Sequence, residues 1–260
     1  VAGDRAPLGR VTSLADPSRR PHQNLDPQLV LGAYSVGVFP MADSRDAADV
    51  YWVEPQERAI LPLDGFHLSH SLRKTIAAER YRVTADQDFA RMLRLCAEAV
   101  PNRPDTWINS GIERAFNQLH TMGFAHSVEV WDGEELVGGL YGLALGRAFF
   151  GESMVSRARD ASKVAIAWLV ARLRVGGFTL LDCQFMTDHL ASLGAIEISR
   201  NDYLVALSGA IAGAVGSGAS VSGVGDFFAL DRGVLPASDA ATELGPPSGK
   251  VIAQLLTHTS

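Results

Sequence analysis

The sequence predicts an α+β fold: a mixed sheet covered by helices, preceded by a small N-terminal domain. Three observations predict it. Of the 260 residues, 47% are hydrophobic and 20% charged, the balance of an ordinary globular chain with one main core. From about residue 125 the patterns run strand, strand, strand, helix, strand, helix, an order that suits a sheet with helical cover. Between the first two of those strands, Asp132-Gly133 is a strong hairpin signal.

The elements follow in order. Asp26-Pro27 reads as an N-cap with proline in the first turn. Leu29, Val30, Ala33 and Tyr34 share one face and Gly37 suits the stop, so 26–36 is a helix. Short strands are expected near 50–53 and 58–63, a helix from about Ser69 to Glu79, a strand at 80–84 and a helix at 87–99. Pro101 to Pro104 is a loop. Ser110 and Glu113 have capping-box spacing and Gly123 ends the pattern, giving a helix near 111–122. His126 to Trp131, Glu135 to Leu145 and Ala148 to Glu152 are strands. Asp160 caps a helix through Arg174 that ends at Gly176-Gly177, and Phe178 to Gln184 is a further strand. A short helix follows near 188–193. A last one starts after Ser199, with Asp202 completing a capping box.

Four segments result: a flexible N-terminal segment at 1–25, the small N-terminal domain at 26–64, the main domain at 65–208, and a Gly/Ser-rich linker with C-terminal tail at 209–260. Six glycines fall within 209–226. Val251, Ile252, Leu255 and Leu256 suit a strand or short helix docked on the body. No run of about 18 apolar residues is present, so no membrane span is expected, and residues 1–24 lack the apolar stretch of a secretory signal. Cys96 and Cys183 build no disulfide framework and no Cys/His spacing suggests zinc, which fits a reducing, cytoplasmic setting without a metal. The net charge of −6 argues against nucleic acid, but the stretch 67–94 is basic: Arg73, Lys74, Arg80, Arg82, Arg91 and Arg94 against Glu79, Asp86 and Asp88. That stretch suits either a phosphate-tracking surface or a solvated helix face.

Period two along 178–184 puts Asp182 and Gln184 on one face and Leu181 and Cys183 on the other. A carboxylate and a carboxamide side by side near a strand end can hold an amine and move its proton; a buried pair satisfied by backbone fits the same residues. Ile166, Leu169 and Leu173 lie on one helix face. With Leu181, Leu140 and Met154 they either pack the sheet or line an apolar pocket. Glu152 ends an apolar strand, placed to pair with an arginine or with a cationic ligand. Trp107, in a loop, either stacks on a base or covers a core edge. The strand order is similar to that of GNAT-type acyltransferases, an analogy of fold. Those enzymes usually cradle the coenzyme A pyrophosphate in a glycine-rich loop. Residues 153–160, SMVSRARD, contain no glycine, so the backbone nest for a coenzyme A pyrophosphate is missing; no Walker loop is present either, and no cofactor is expected.

The motifs "AYSVGVFPM", "FHLSHSLRKT", "TWI", "HSVEVWDGEELVGGLYGLALGRAFFGESMVSR", "DASKVAIAWLV", "LLDCQ" and "HLASLGAIEISRNDYL" resemble, in order and over about residues 26–207, the bacterial leucyl/phenylalanyl-tRNA-protein transferase family. The resemblance implies a small N-terminal domain joined to a GNAT-like domain. It implies transfer of Leu, Phe or Met from aminoacyl-tRNA to proteins with N-terminal Arg or Lys, marking them for N-degron degradation. It implies that Asp182 and Gln184 orient the reacting amine and relay its proton, with Glu152 and Phe149 helping to form the site. Leu140, Met154, Ile166, Leu169, Leu173 and Leu181 would line the aminoacyl pocket, and Trp107 would lie near the terminal adenosine. Met41 stands where many members have a tryptophan that stacks on that adenosine. Leu169 and Leu173 stand where phenylalanine is frequent, which implies a roomier pocket. Arg73, Lys74, Arg80 and Arg82 would track tRNA phosphates with salt-sensitive affinity. Two other readings stay open: an acetyl-CoA-dependent N-acetyltransferase and a non-catalytic tRNA-binding module.

Overall fold

The computed structural model describes residues 25–99, 105–212, 224–233 and 247–257. The flexible segment expected at 1–25 (apart from Leu25), the loop at 101–104 and most of the glycine-rich stretch lie outside the described residues. Helix α1 (Pro27–Ser35) starts as predicted, with Asp26 accepting from the Gln28 amide at 2.9 Å. It leads into a two-stranded ribbon of β1 (Phe39–Met41) and β2 (Tyr51–Val53). The sequence reading missed β1, because Pro40 counts against a strand; a ribbon edge tolerates it.

The body is a seven-stranded sheet in the order β4-β5-β6-β7-β8-β3-β9. Its strands are β3 (Glu57–Ile60), β4 (Arg82–Ala85), β5 (Ala125–Asp132), β6 (Glu135–Leu145), β7 (Ala148–Ser156), β8 (Leu180–Gln184) and β9 (Ile196–Ser199). Helices α2 (His70–Ala77), α3 (Phe89–Ala97), α4 (Ser110–Thr121), α5 (Ala161–Val175), α6 (Asp188–Ala191), α7 (Arg200–Ile211) and α8 (Gly249–Thr257) complete the described fold. All pairings are antiparallel except β7 with β8, which are parallel and joined by α5. The predicted α+β class, a mixed sheet under helices, is therefore the observed one.

Several boundaries differ, each for a local reason. β3 pairs with both β8 and β9, so residues 57–60, grouped above with the N-terminal domain, belong to the main sheet. β9 was not expected; it is a short, mostly exposed edge strand with little apolar signal. α4 is capped by Asn109, which accepts from the Ile112 amide at 2.9 Å, rather than by Ser110. Asp160 precedes α5 in a left-handed conformation and makes no side-chain cap.

The tail is the largest revision. Residues 209–211 continue α7, and the described parts of the tail are packed into the body. Phe227 is buried, stacked 5.7 Å from the Phe149 ring and 4.3 Å from His126. Arg172, buried on α5, grips Asp231 with both terminal nitrogens at 2.5 and 2.6 Å. α8 buries Ile252, Ala253 and Leu256 in the same core, and Arg174 donates to the Leu255 carbonyl at 2.8 Å. α8 is the docked short helix expected at 251–256; the Phe227 and Asp231 anchors carry no local signal, because they are few and far from their partners in the chain. Phe227→Ala is expected to cost about 3–5 kcal/mol, read as a lower urea midpoint with an unchanged slope.

Candidate active site

The site forms where β7 and β8 part. Their parallel pairing ends at Phe150↔Asp182, while β7 runs on against β6 to Ser156. Opposite this point the β6–β7 ladder is irregular. Tyr141 faces Ser153 and Gly142 faces Gly151, leaving Glu152 without a partner. This bulge reverses the facing of β7. Before it, Phe149 packs on the α5 side; after it, Met154 does. Gly142 is required here: a Cβ on it would lie 2.4 Å from the Phe149 ring, which rests against its backbone.

Below the bulge, on the α5 side, is a cavity of about 510 Å³, a size that suits a small ligand or one arm of a larger one. Leu61, Leu140, Met154, Ile166, Leu169 and Leu181 supply its apolar wall, and Glu152, Ser162, Cys183 and His189 are among its polar members. Five of the six expected pocket positions thus line it. Leu173 does not: it is fully buried further along α5. Phe149 also faces the core, between Phe178 and Phe227, and lies outside the wall.

Asp182 is on the opposite face of β8 from Leu181 and Cys183, as the alternation predicted. It does not open into the cavity. It is 0% exposed, and Arg58 clasps it from Nε at 2.9 Å and from Nη2 at 2.6 Å. The Tyr203 hydroxyl donates to it at 2.8 Å and the Gln184 amide at 2.8 Å. Arg58 is itself held between the Phe39 and Tyr203 rings, 4.6 Å from each, and donates to the Gly37 carbonyl at 3.1 Å. Gly37 has φ +83° and leaves no room for a Cβ beside Tyr203, so glycine is needed there. Desolvation disfavours the Arg58 charge, but Asp182 outweighs it and raises the guanidinium pKa. The expected side-by-side presentation of Asp182 and Gln184 to a ligand is not what the geometry gives. Gln184, at φ +64°, turns away from the strand, and its Nε2 donates to Glu152 Oε2 at 3.0 Å. The chain of contacts therefore runs Arg58, Asp182, Gln184, Glu152, and only Glu152 reaches the cavity wall.

Burial dominates the electrostatics of that wall. It pushes the Glu152 carboxyl up to about 8, against the opposing influence of the nearby Tyr34 hydroxyl and of the hydrogen bond from Gln184. Its Oε1 and the neighbouring Tyr34 hydroxyl are buried, and neither has a partner within hydrogen-bond distance. Burial also raises the Cys183 thiol and, together with Lys163, lowers His189. At neutral pH the wall thus presents a neutral acid, a thiol and a neutral imidazole.

The expected nucleic-acid residues lie elsewhere. Arg73, Lys74, Arg80 and Arg82 are exposed on α2, the following turn and β4. β4 is three strand spacings from β7, about 14 Å. Arg82 is engaged by Gln87 at 2.7 Å and lies over the Trp131 ring. Trp107 and Met41 are half-buried at the edge of the N-terminal ribbon, joined by a 3.1 Å bond from the Ala42 amide to the Trp107 carbonyl. The sequence reading passed over Arg58, Tyr203, Ser162 and His189. Arg58 could have been suspected as a lone cation amid an apolar strand; the others gave no local signal. Among the described residues no group of three or more His, Cys, Asp or Glu could hold a metal ion, and no helix is long and apolar enough to cross a membrane.

Fold and site together describe an α+β protein with an apolar cavity beside a buried carboxyl. Comparison with known proteins narrows this. The family model for leucyl/phenylalanyl-tRNA protein transferase matches residues 60–208, and the model for the N-terminal domain of the same family matches 23–56. A leucyl/phenylalanyl-tRNA–protein transferase from Rhizorhabdus wittichii is 59% identical over 246 residues, covering 91% of this chain and 99% of its own. Relatives of the same name from Zymomonas mobilis and Novosphingobium aromaticivorans are 62% and 49% identical, over 72% and 92% of this chain and 70% and 98% of their own. A solved structure described as L-PGS from Bacillus licheniformis overlaps 64% of this chain and 54% of its own, at 14% identity and TM-score 0.37, too distant to inform the site. The chain belongs to the leucyl/phenylalanyl-tRNA protein transferase family.

Two outcomes follow from the burial. Because the folded state holds the Glu152 proton up to about pH 8 and the unfolded state releases it near 4.5, this residue's stabilising contribution is full below 4.5 and is lost as pH rises through 8. Over that window it contributes a slope of up to about 1.4 kcal/mol per pH unit. Glu152→Gln should flatten that dependence in urea unfolding measured from pH 5 to 8.5. Asp182→Ala leaves Arg58 buried and unpaired, and is expected to lower stability by about 3–5 kcal/mol, seen as an earlier thermal transition.

Proposed function

We propose that this protein is an aminoacyltransferase. It carries Leu or Phe, and Met within the same cavity, from aminoacyl-tRNA to the α-amine of proteins beginning with Arg or Lys, so marking them for degradation. The observation that carries the reading is a cavity in which an apolar wall and a buried carboxyl meet. The wall of Leu140, Met154, Ile166, Leu169 and Leu181 suits an aliphatic or aromatic side chain, and Glu152 suits a cation. Family membership and the relatives' names support it.

The ester between amino acid and ribose is already activated. The α-amine attacks its carbonyl carbon, a C–N bond forms, the C–O bond to ribose breaks, the nitrogen's surplus proton passes to the ribose oxygen, and tRNA leaves. Holding amine and ester together supplies most of the acceleration. Glu152 serves the basic substrate: a guanidinium or ammonium beside it favours its ionised form and pairs with it. Gln184 holds Glu152 in place through its Nε2. Asp182, enclosed by Arg58, Tyr203 and the Gln184 amide, acts as a positioning residue for this chain of contacts. Met154, on a flexible side chain, lets the wall adapt to more than one occupant. Such a wall separates aliphatic side chains by only about 1–3 kcal/mol per methylene, which suits acceptance of several apolar amino acids. Trp107 and Met41 contact the terminal adenosine, and Arg73, Lys74, Arg80 and Arg82 follow tRNA phosphates. The reaction belongs in the cytoplasm, where charged tRNA is found, and both cysteines are free thiols.

Labelled Leu-tRNA or Phe-tRNA, incubated with peptides beginning with Arg, Asp or Ala, tests the reading. Label on the Arg peptide alone is expected. Label on the Asp peptide overturns the specificity, and tRNA binding without any product points to a non-catalytic module.

A further inference from the structure

β7 is the fourth strand of seven, yet part of one of its edges is bare. It pairs with β8 from Ala148 to Phe150, and that pairing stops at Asp182. Beyond the bulge β7 continues against β6, with Ser153 opposite Tyr141, Met154 opposite Leu140 and Val155 opposite Gly139. Facing residues in an antiparallel ladder alternate between bonded and non-bonded pairs. The Arg157 amide donates to the Val137 carbonyl at 2.7 Å in this same register, so Ser153 and Val155 also turn their backbone groups toward β6. Met154 and Ser156 therefore turn their N–H and C=O the other way, toward the side that β8 has left. Among the described residues no backbone group pairs with them there.

That bare edge faces the cavity. Gly151, Met154 and Ser156 line one side of it, and Cys183, Phe185 and Thr187 the other. The edge starts level with Glu152 and with the Gln184 amide that holds it. Exposure rises along it, from buried Glu152 through half-buried Ser153, Met154 and Val155 to exposed Ser156. A chain on this edge therefore leads from the site out to solvent. Unpaired edges within a sheet are otherwise avoided, because they invite a further strand. Residues two apart along a strand repeat every 6.6 Å or so, about the interval between the Met154 and Ser156 groups. An extended polypeptide carries donors and acceptors at that repeat, and strand addition uses them. An aminoacyl ester has one carbonyl beside its amine and is too short to meet both sets.

Resting on the transferase reading, we propose that the protein substrate docks by strand addition: its first few residues lie extended along the Met154–Ser156 edge of β7, in the place that β8 vacates. The direction follows from the chemistry. The α-amine must lie level with Glu152, and the space back toward Phe150 is filled by β8. The substrate chain therefore runs outward toward Ser156, parallel to β7. In a parallel pairing the Met154 and Ser156 carbonyls accept from substrate amides two residues apart, and their own amides donate to substrate carbonyls. These bonds read the backbone alone. The edge thus grips a protein whatever side chains follow its first residue, while Glu152 serves the basic side chain.

Peptides carrying a single backbone N-methyl group test this on the wild-type protein, with Leu-tRNA as donor. A five-residue peptide beginning with Arg is compared with two copies, one methylated on the amide nitrogen of residue 3 and one on that of residue 4. Because the donated amides are two residues apart, one of these neighbours loses a bond and the other does not. The KM of the first is expected to rise about tenfold with kcat kept, while the second stays within about twofold of the parent. Both methyl groups stiffen the chain alike, so the contrast between neighbours isolates the bond. Methylated peptides whose KM values move together, or not at all, overturn the docking mode. A parent peptide that receives no leucine overturns the transferase reading itself, a result distinct from equal use of all three peptides.

Discussion

The buried pair of Arg58 and Asp182 ties the site to the fold. Arg58 comes from β3, Asp182 from β8, the rings that flank the guanidinium from β1 and α7, and the carbonyl that accepts its remaining donor from the turn after α1. Four stretches distant in the chain, around residues 37–39, 58, 182 and 203, thus meet on one ion pair. A charge pair so enclosed is not strong evidence of stability, since its desolvation cost rivals its attraction. Its value is geometric. Removing one partner strands the other, so the N-terminal segment, the strand bearing the cavity's apolar residues and α7 are held in one arrangement.

From that anchor the contacts run outward to the cavity through Gln184 and Glu152. The bulge at Glu152 makes this possible. A regular strand would have sent residues 152 and 154 to the same face and kept Met154 out of the wall. One unpaired residue instead lets β7 put Phe149 and Met154 on the α5 side while Glu152 meets Gln184 between them. The parallel pairing of β7 and β8 stops at the same level, so the space between the separating strands receives the polar side chains. The carboxyl is left mostly out of water, which is why it holds its proton so far above the usual carboxylate range.

Much of this was legible in the sequence. The alternation of 178–184 placed Leu181 and Cys183 on the cavity side and Asp182 on the other. The helical spacing of Ile166 and Leu169 placed both on one apolar face, which suits sheet packing as well as a cavity wall; the resemblance implied the wall. Where the reading failed, the cause was a long-range contact. The sequence allows Asp182 and Gln184 as a ligand-facing couple or as a buried pair, and nothing local announces that Arg58, 124 residues earlier, covers the carboxylate. Leu173 and Phe149 carried the same pattern as the residues that do line the cavity. Whether such a residue faces a void or a neighbour depends on what fills the space, and here Phe227 lies against Phe149 from a segment that composition marked as linker.

The sequence by itself determined the class of fold, the order and most of the extents of its elements, and the alternation that sets Leu181 and Cys183 against Asp182. Each of these follows from periodicity and local conformational preference, which short stretches of chain carry with them. Only the tertiary structure decided which apolar residues line the cavity, which polar group faces it and which is sealed behind it, and that Phe227 belongs to the core. Those outcomes depend on contacts between residues scores of positions apart and on how burial moves a proton, and neither quantity exists until the chain has closed on itself.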